Sequence, residues 1–432
     1  MTHSHTDGTD LLSRDGCVFG EGSSGDLHTS PIHRWRTRTD DLLAAASHHG
    51  YGYKSVNEDR VALVEVEGEN GPDTALFVVD GMGGRECGDL AAQVLSEELV
   101  RAARPPDAEV KTEISLLLKD RIETILWRLP GQDFVRKVLA RWRSQWLEGD
   151  GFDASGQLIR LALEALNAES LLSGEGNPDQ LRGIAEALRE LAAMNLPDTT
   201  EVALRRSQRR IVIQHPGPGM PDACFVGALI HTEEDGRRTL DVRQVGDCRL
   251  FISSEDGRIR FRTIGESVIP EPRLEDPALP MTDLMAYSLH RNLVRNSINS
   301  PESALKRYRS QDLPLVLEKG DKIFLYSDGM DDLFSPEELV EMAHEQAPDA
   351  FIGDLLLHSE RRMKFVNQLL RTERERLPQA QKMKAYPLIH ERLNRARVED
   401  GCYVETYDDG ATGRWTKPPK CDNTSICVMW VG

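Results

Sequence analysis

The sequence predicts an α+β fold built on antiparallel sheets. Strand-like segments fall into two clusters, one before about residue 80 and one after about residue 210. Helical segments lie between and after these clusters, and they do not alternate with single strands as they would in a parallel βαβ protein. The chain has 432 residues, of which 39% are hydrophobic and 29% charged, so it is long enough for a substantial core or for two domains.

A polar lead-in comes before the first strand cluster. Residues 1–40 are rich in Ser, Thr, Gly, Asp and His and lack apolar periodicity, which predicts a flexible N-terminal tail. Apolar runs predict strands at 61–66 and 74–79, and the second run stops at Asp80-Gly81. Residues 88–102 are predicted to form a helix, because their apolar side chains recur at helical spacing.

The main domain, residues 41–432, is predicted to be interrupted by a large insert. Apolar residues recur at spacings of three and four between about 109 and 205, which predicts an all-helical insert of four or five helices. Its Trp127, Trp142 and Trp146 fit a packed core, and an exposed docking surface for a partner is the alternative. We expect the insert to influence substrate choice or partner binding.

Strand-like sequence resumes after the insert. The predicted strands are 211–213, 224–230, 240–245, 249–252, 259–264, 321–326 and 424–431. Helices are predicted at 336–347 and 350–395, and the segment of about 350–415 is interpreted as a helical or irregular extension of the domain.

Composition narrows the classes of function. The formal net charge of −18 removes the counterion-release energy that drives nucleic-acid binding, and the short basic run at 205–210 lacks interleaved aromatics and is typical of a solvated helix face. Seven scattered cysteines indicate neither a disulfide framework nor a zinc site. No apolar run reaches the length of a membrane span, and no leader pattern opens the chain. The expectation is a reduced, cytoplasmic protein without nucleic-acid or membrane partners.

Carboxylates are concentrated at strand ends and in tight turns. The four segments are Asn57-Glu58-Asp59-Arg60, Asp80-Gly81-Met82-Gly83-Gly84, Ser327-Asp328-Gly329 and Asp422-Asn423. Hard cations such as Mg²⁺ and Mn²⁺ take oxygen ligands, and a neighbouring glycine lets a backbone carbonyl approach the same ion. A lone Asp-Gly is usually only a turn, but four such segments in this order are far more specific.

The order and setting of these segments resemble the PPM-type (type 2C-like) metal-dependent Ser/Thr protein phosphatases, in their bacterial-type branch. The resemblance covers roughly half of the chain and runs through 54–60, 77–92, 224–230, 245–249, 319–339 and 422–431. It implies a central antiparallel β-sandwich flanked by helices, two divalent cations (Mn²⁺ or Mg²⁺), and hydrolysis of phosphoserine and phosphothreonine on proteins by a water that the cations share.

The resemblance also implies a ligand set made of acidic side chains and one carbonyl, which are Glu58, Asp59, Asp80, Gly81, Asp328 and Asp422. Asp80 would bridge both ions and the Gly81 carbonyl would bind one of them. Asp328 and Asp422 would hold the other ion, while Glu58 and Asp59 would contact the cluster directly or through water. For Gly246-Asp247, a structural turn and a direct role both stay open.

The chain departs from the family pattern in two places. Lys54 stands where family members commonly have a phosphate-binding Arg, so it would neutralise phosphate without a bidentate grip, and a plain surface lysine is the alternative. Asp80, Asp59 and Lys54 are therefore the expected catalytic residues. Met82 replaces a His found in many eukaryotic members, and Asp222 is a candidate ligand for a possible third metal.

Two other functions compete with a protein phosphatase. One is a catalytically weak relative that works as a binding or regulatory module, and the other is a small-molecule phosphatase with the same site. Ser327 lacks the Gly-x-Ser-x-Gly setting of a nucleophile, and His231 and His290 lack a paired nucleophile. Cys248 and Cys421 are expected to be packing residues, because thiols suit hard cations poorly.

Overall fold

A computed structural model describes a subset of the chain, and every structural statement below concerns that subset. The described residues are 10–11, 16–20, 30–50, 56–82, 87–127, 197–217, 219–266, 294, 296–299, 305–308, 315–331, 333–376, 398–399, 402–406, 412–415 and 422–432. The chain divides into two compact units, Pro106–Val202 and a main unit made of Met1–Pro105 and Ala203–Gly432.

Seventeen strands lie in the described residues. They are β1 Asp10–Leu11, β2 Cys17–Phe19, β3 His33–Arg36, β4 Leu42–His48, β5 Asp59–Glu67, β6 Pro72–Met82, β7 Asp222–Thr232, β8 Arg238–Val245, β9 Arg249–Ser253, β10 Ile259–Arg262, β11 Lys306–Tyr308, β12 Val316–Leu317, β13 Lys322–Tyr326, β14 Val398–Glu399, β15 Cys402–Thr406, β16 Thr412–Trp415 and β17 Thr424–Trp430. The helices are α1 Gly88–Ala102, α2 Ala108–Trp127, α3 Thr199–Gln214, α4 Asp328–Asp331, α5 Pro336–Met342 and α6 Pro348–Arg376.

The main unit contains two seven-stranded sheets. The first sheet has the strand order β1-β3-β4-β17-β13-β9-β10, and the second has the order β11-β8-β7-β6-β5-β2 with β12 also paired to β8. Neighbouring strands are antiparallel except for the short β1–β3 pair. The predicted α+β class with antiparallel sheets is confirmed.

The two sheets pack face to face over one apolar core. Side chains alternate along β4, so Leu43 and Ala45 belong to the core shared with the second sheet, while Ala44 and Ala46 belong to a core on the outer face. The shared core also takes Val61 and Leu76 from the second sheet. The predicted β-sandwich is therefore present.

Helices cover the outer faces of both sheets. On the first sheet, Phe324 stacks on Phe251 at 4.3 Å between ring centroids and meets Phe351 of α6 edge to face. Helix α5, which precedes α6 in the chain, begins with a capping box in which the Ser335 hydroxyl accepts from the Glu338 backbone N–H. On the second sheet, α1 and α3 bury apolar side chains against β5, β6 and β7.

The predicted strand at 211–213 is wrong, because these residues form the end of α3. Ala203, Ser207 and Ile211 are buried at a spacing of four, which is one face of a helix, whereas Ile213 is 78% exposed. The β-branched run favours a strand locally, but burial of the Ile211 face decides the outcome. Arg210 fastens the same helix to α1 through ion pairs of 2.7 Å with Glu97 and Glu98.

The chain differs from expectation in two further places. Part of the expected N-terminal tail is ordered, since β2 pairs with β5 and β3 pairs with β4. In the expected helical or irregular extension, α6 is followed by an antiparallel three-stranded sheet of β14, β15 and β16. These strands are short or polar, so they lack the apolar alternation that would have predicted them.

The unit Pro106–Val202 is described at its two ends only. Its helix α2 packs Val110, Ile114 and Leu117 with Val202, and Arg121 forms an ion pair with Glu201. Residues 128–196, with Trp142 and Trp146, lie outside the described residues, so an all-helical insert stays a prediction. Within the described residues, no helix is long and apolar enough to cross a membrane.

Candidate metal centre

The second sheet brings two acidic segments together at one end. Strand β5 begins at Asp59 and the antiparallel β6 reaches Asp80 before it ends, and these two residues lie directly opposite each other. On the other side of β6, Asp80 lies opposite Cys224 of β7. Directly opposed residues of an antiparallel pair have Cβ atoms about 4.5–5.5 Å apart, so the two carboxylates are neighbours.

The first sheet gathers a second acidic set at one of its ends. Tyr326, the last residue of β13, lies opposite Ile426 of β17 and Arg249 of β9. Because both neighbours run antiparallel to β13, residues that follow β13 and residues that precede β17 and β9 leave the sheet at the same end. These residues include Asp328, Asp422 and Asp247.

Ser327 joins the two acidic sets. Its hydroxyl donates to Asp59 Oδ2 at 2.6 Å and accepts from the Ser425 backbone N–H at 3.0 Å. The Ser327 backbone N–H in turn donates to the Ser425 carbonyl at 3.1 Å. Ser327 and Asp59 are wholly buried, so this contact fixes the start of α4 against the start of β5.

Asn423 makes the second connection. Its Oδ1 accepts from the Glu58 backbone N–H and its Nδ2 donates to the Val56 carbonyl, both at 3.2 Å. The Asp422 carboxylate accepts from the Asn423 backbone N–H at 2.9 Å. The segment before β17 is thereby held on the segment before β5, and Asp422 is brought beside Glu58.

Two glycines allow the backbones to approach this closely. A Cβ at Gly81 would lie 2.0 Å from the Gly88 carbonyl oxygen, and one at Gly329 would lie 1.8 Å from the Asn423 carbonyl oxygen. The Gly81 N–H donates to the Glu58 carbonyl at 3.0 Å. The glycines that the sequence places beside Asp80 and Asp328 are therefore required by packing.

Burial makes the acidic centre electrostatically costly. Glu58, Asp59, Asp80 and Asp422 are each at most 8% exposed, and Asp328 is half-buried. Like charges at this density disfavour the ionised forms of one another unless a cation balances them. The thiol of Cys248 responds to the same field, since burial raises its pKa well above the usual value and the Asp80 charge raises it further.

Asp247 joins the centre through the connection between the two sheets. Ligand atoms of Asp80, Asp247 and Cys248 all lie within 4.8 Å of one another. Gly246, with φ of +88°, turns the chain from β8 of the second sheet to β9 of the first. The sequence left this Asp open between a turn and a direct role, and the structure places it at the acidic centre.

Asp222, expected as a possible third-metal ligand, lies opposite Met82. Its carboxylate accepts from the backbone N–H of Ala223 at 2.8 Å, from that of Asn299 at 3.1 Å and from the Ser297 hydroxyl. Burial raises its pKa, and these three hydrogen bonds lower it. These contacts show Asp222 anchoring 297–299, and its metal role stays a prediction.

Other predicted residues fall elsewhere. Lys54, Cys421 and His290 lie outside the described residues. His231 lies on β7 with its Nδ1 2.9 Å from Asp73 Oδ2, in an ion pair on the sheet. Sequence reasoning missed the connecting roles of Ser327 and Asn423. The available signal was their position directly beside an Asp at a strand end.

We expect Ser327→Ala to lower the free energy of unfolding by about 2–4 kcal/mol, because it leaves a buried carboxylate oxygen and a buried N–H without this hydroxyl. Urea unfolding followed by fluorescence would measure the change. Ser253→Ala is the matched control, since Ser253 is wholly buried in the same sheet and its hydroxyl has no hydrogen-bond partner among the described residues. Equal effects of the two substitutions would contradict the connecting role of Ser327.

Comparison with models of known protein families and with curated proteins finds no match. Solved structures similar to the chain include bacterial serine/threonine phosphatases. That of S. agalactiae is 13% identical with a TM-score of 0.41, covering 90% of this chain and 99% of that chain. Mycobacterium tuberculosis PstP/Ppp is 14% identical with a TM-score of 0.40, covering 90% and 97%. The PPM Ser-Thr phosphatase MsPP from Mycobacterium smegmatis is 13% identical with a TM-score of 0.38, covering 90% and 98%.

Proposed function

We propose that the protein is a metal-dependent phosphatase that hydrolyses phosphoserine and phosphothreonine on proteins. The observation that carries the proposal is the convergence of four acidic segments, from the ends of two sheets, on one buried centre. Ser327 and Asn423 connect these segments by hydrogen bonds to Asp59 and Glu58. At identities of 13–14% and TM-scores near 0.4, the likeness to solved phosphatases adds no argument about chemistry.

The donor set fits two hard divalent cations. Carboxylate oxygens of Asp80, Asp328 and Asp422, with the Gly81 carbonyl, are the ligands that Mg²⁺ and Mn²⁺ prefer. Burying several carboxylates together is unfavourable without positive charge, so the centre is built for cations. We propose that Asp80, Asp328 and Asp422 would hold these ions. Glu58 and Asp59 would bind directly or through water.

Such ions supply Lewis acidity that acidifies water and draws charge from a phosphoryl group. The chain's own residues hold the acidic groups in position. Ser327 holds one oxygen of Asp59, and the backbone of Glu58 is held from both sides by Gly81 and Asn423. These contacts limit rotation of the acidic groups, so the substrate phosphate meets a preorganised centre. Lys54 is proposed to neutralise the substrate phosphate.

The step from phosphatase to protein phosphatase rests on the motifs shared with PPM-type enzymes. A small-molecule phosphatase would use the same centre, and a weak relative would keep it for binding alone. Substrate choice and partner docking are proposed to depend on the insert at about 109–205. A cytoplasmic location, which the sequence led us to expect, is also proposed.

Hydrolysis assays separate these functions. We expect turnover of p-nitrophenyl phosphate and of a phosphothreonine peptide with Mn²⁺, and loss of both with EDTA. Restoration by Mn²⁺ after dialysis controls for damage by the chelator. Turnover of p-nitrophenyl phosphate alone would favour a small-molecule enzyme. Mn²⁺ binding without any turnover would favour a binding module, and turnover that resists EDTA would exclude the proposed chemistry.

A further inference from the structure

The acidic centre contains a thiol that the proposed reaction does not use. Cys248 is wholly buried, and its Sγ lies within 4.8 Å of carboxylate oxygens of both Asp80 and Asp247. In the part of the chain that the structure describes, the Cys248 thiol makes no hydrogen bond. A buried thiol without a hydrogen-bond partner, beside two carboxylates, is in a position to bind a cation together with them.

We propose that Cys248 is a sulfur ligand in a metal site formed with Asp80 and Asp247, and that this site takes thiophilic divalent ions such as Zn²⁺ or Co²⁺. Soft thiolate ligands favour these ions over Mg²⁺ and Mn²⁺. Coordination releases the thiol proton to solvent, so binding weakens as pH falls. The site shares Asp80 with the proposed phosphatase centre, but it does not require hydrolysis to occur.

The geometry suits a single ion. Bonds of about 2.3 Å to sulfur and 2.0–2.2 Å to oxygen place two ligand atoms about 3.6 Å apart in tetrahedral coordination. The observed separations are at most 4.8 Å, so the ligand atoms would have to approach one another by at most about 1.2 Å to reach this value. Asp247 and Cys248 are adjacent in the chain and Asp80 comes from β6, so the set combines one local pair with one fixed distant ligand.

Simple packing of Cys248 is the alternative, because free cysteines are often buried as small apolar residues. Cys224 distinguishes the two explanations. It is equally buried beside the same carboxylates, but its thiol donates to the Asn296 carbonyl at 3.6 Å and contacts Met82 Sδ at 3.9 Å. Cys224 is therefore satisfied by the protein, and Cys248 is the thiol that faces the carboxylate pair.

Cobalt substitution tests the proposal on the full chain. Co²⁺ bound to a thiolate gives a sulfur-to-metal charge-transfer absorption in the near ultraviolet, and we expect this absorption in the wild-type protein. Cys248→Ser and Cys248→Ala should remove it and weaken Co²⁺ binding by roughly tenfold or more. Cys224→Ala should keep it. Two substitutions at Cys248 guard against one that fails to fold, which circular dichroism would reveal.

Two results would overturn the proposal. Co²⁺ binding without the absorption in the wild-type protein would mean that oxygen ligands alone hold the ion. An absorption that survives in the folded Cys248 variants would assign it to another cysteine. Neither result would contradict the proposed phosphatase activity, which the Mn²⁺ assay measures separately.

Discussion

Asp80→Asn is expected to reduce phosphate hydrolysis by more than the roughly 10–100-fold that loss of a supporting group causes, because Asp80 is a proposed ligand of the ions themselves. The amide keeps the size of the side chain. It also removes one of two neighbouring negative charges, since Asp80 lies directly opposite Asp59 on the adjacent strand. The fold should therefore persist, and without metal the variant should unfold at no lower temperature than the wild type. Initial rates with Mn²⁺ and calorimetry measure both effects.

Asp73→Asn is the matched control for this substitution. Asp73 lies on the same strand, toward its other end, where it pairs with His231 and accepts from the Thr232 backbone N–H. Its substitution should leave the hydrolysis rate unchanged. An Asp80→Asn protein as active as the Asp73→Asn protein would mean that the centre is misassigned. An inactive, folded Asp80→Asn protein would also serve to capture phosphorylated substrates.

Gly246→Ala should strongly destabilise the connection between the two sheets. A Cβ there would lie 2.0 Å from Cys224 Sγ, and the φ of +88° is one that alanine adopts poorly. Left-handed backbone costs about 1–2 kcal/mol and overpacking costs about 1–3 kcal/mol, so we expect a loss of about 3 kcal/mol in the free energy of unfolding. Metal binding should weaken as well, because Asp247 follows directly.

Gly236→Ala separates the cost of the left-handed backbone from the cost of the overlap with Cys224. Gly236 has a similar φ of +79°, but within the described part of the chain a Cβ there would meet nothing within 4 Å. Its substitution should cost about 1 kcal/mol from the backbone alone. Urea unfolding of both variants gives the difference, which measures the overlap with Cys224. Equal losses of stability in the two variants would mean that a Cβ at Gly246 does not overlap Cys224.

Local sequence predicted the strands around the centre because the apolar runs at 74–79 and 321–326 stop at acidic turns. The antiparallel class followed from the grouping of strand-like segments into two clusters without regular alternation with helices. Ile211–Ile213 was assigned to a strand because its β-branched residues favour one, whereas burial against α1 belongs to tertiary structure. The connection from Ser327 to Asp59 spans 268 residues, and no local pattern encodes a contact at that distance.

The hydrogen bond between Glu58 and Asn423 joins positions 365 apart. A ribosome adding about 5–20 residues per second would need roughly 20–70 s to make the intervening chain. During this interval the early acidic segments exist without the strand that completes the first sheet, since β17 lies between β4 and β13. The nascent chain therefore cannot assemble its centre until β17 has been synthesised and is free to pair with β4 and β13.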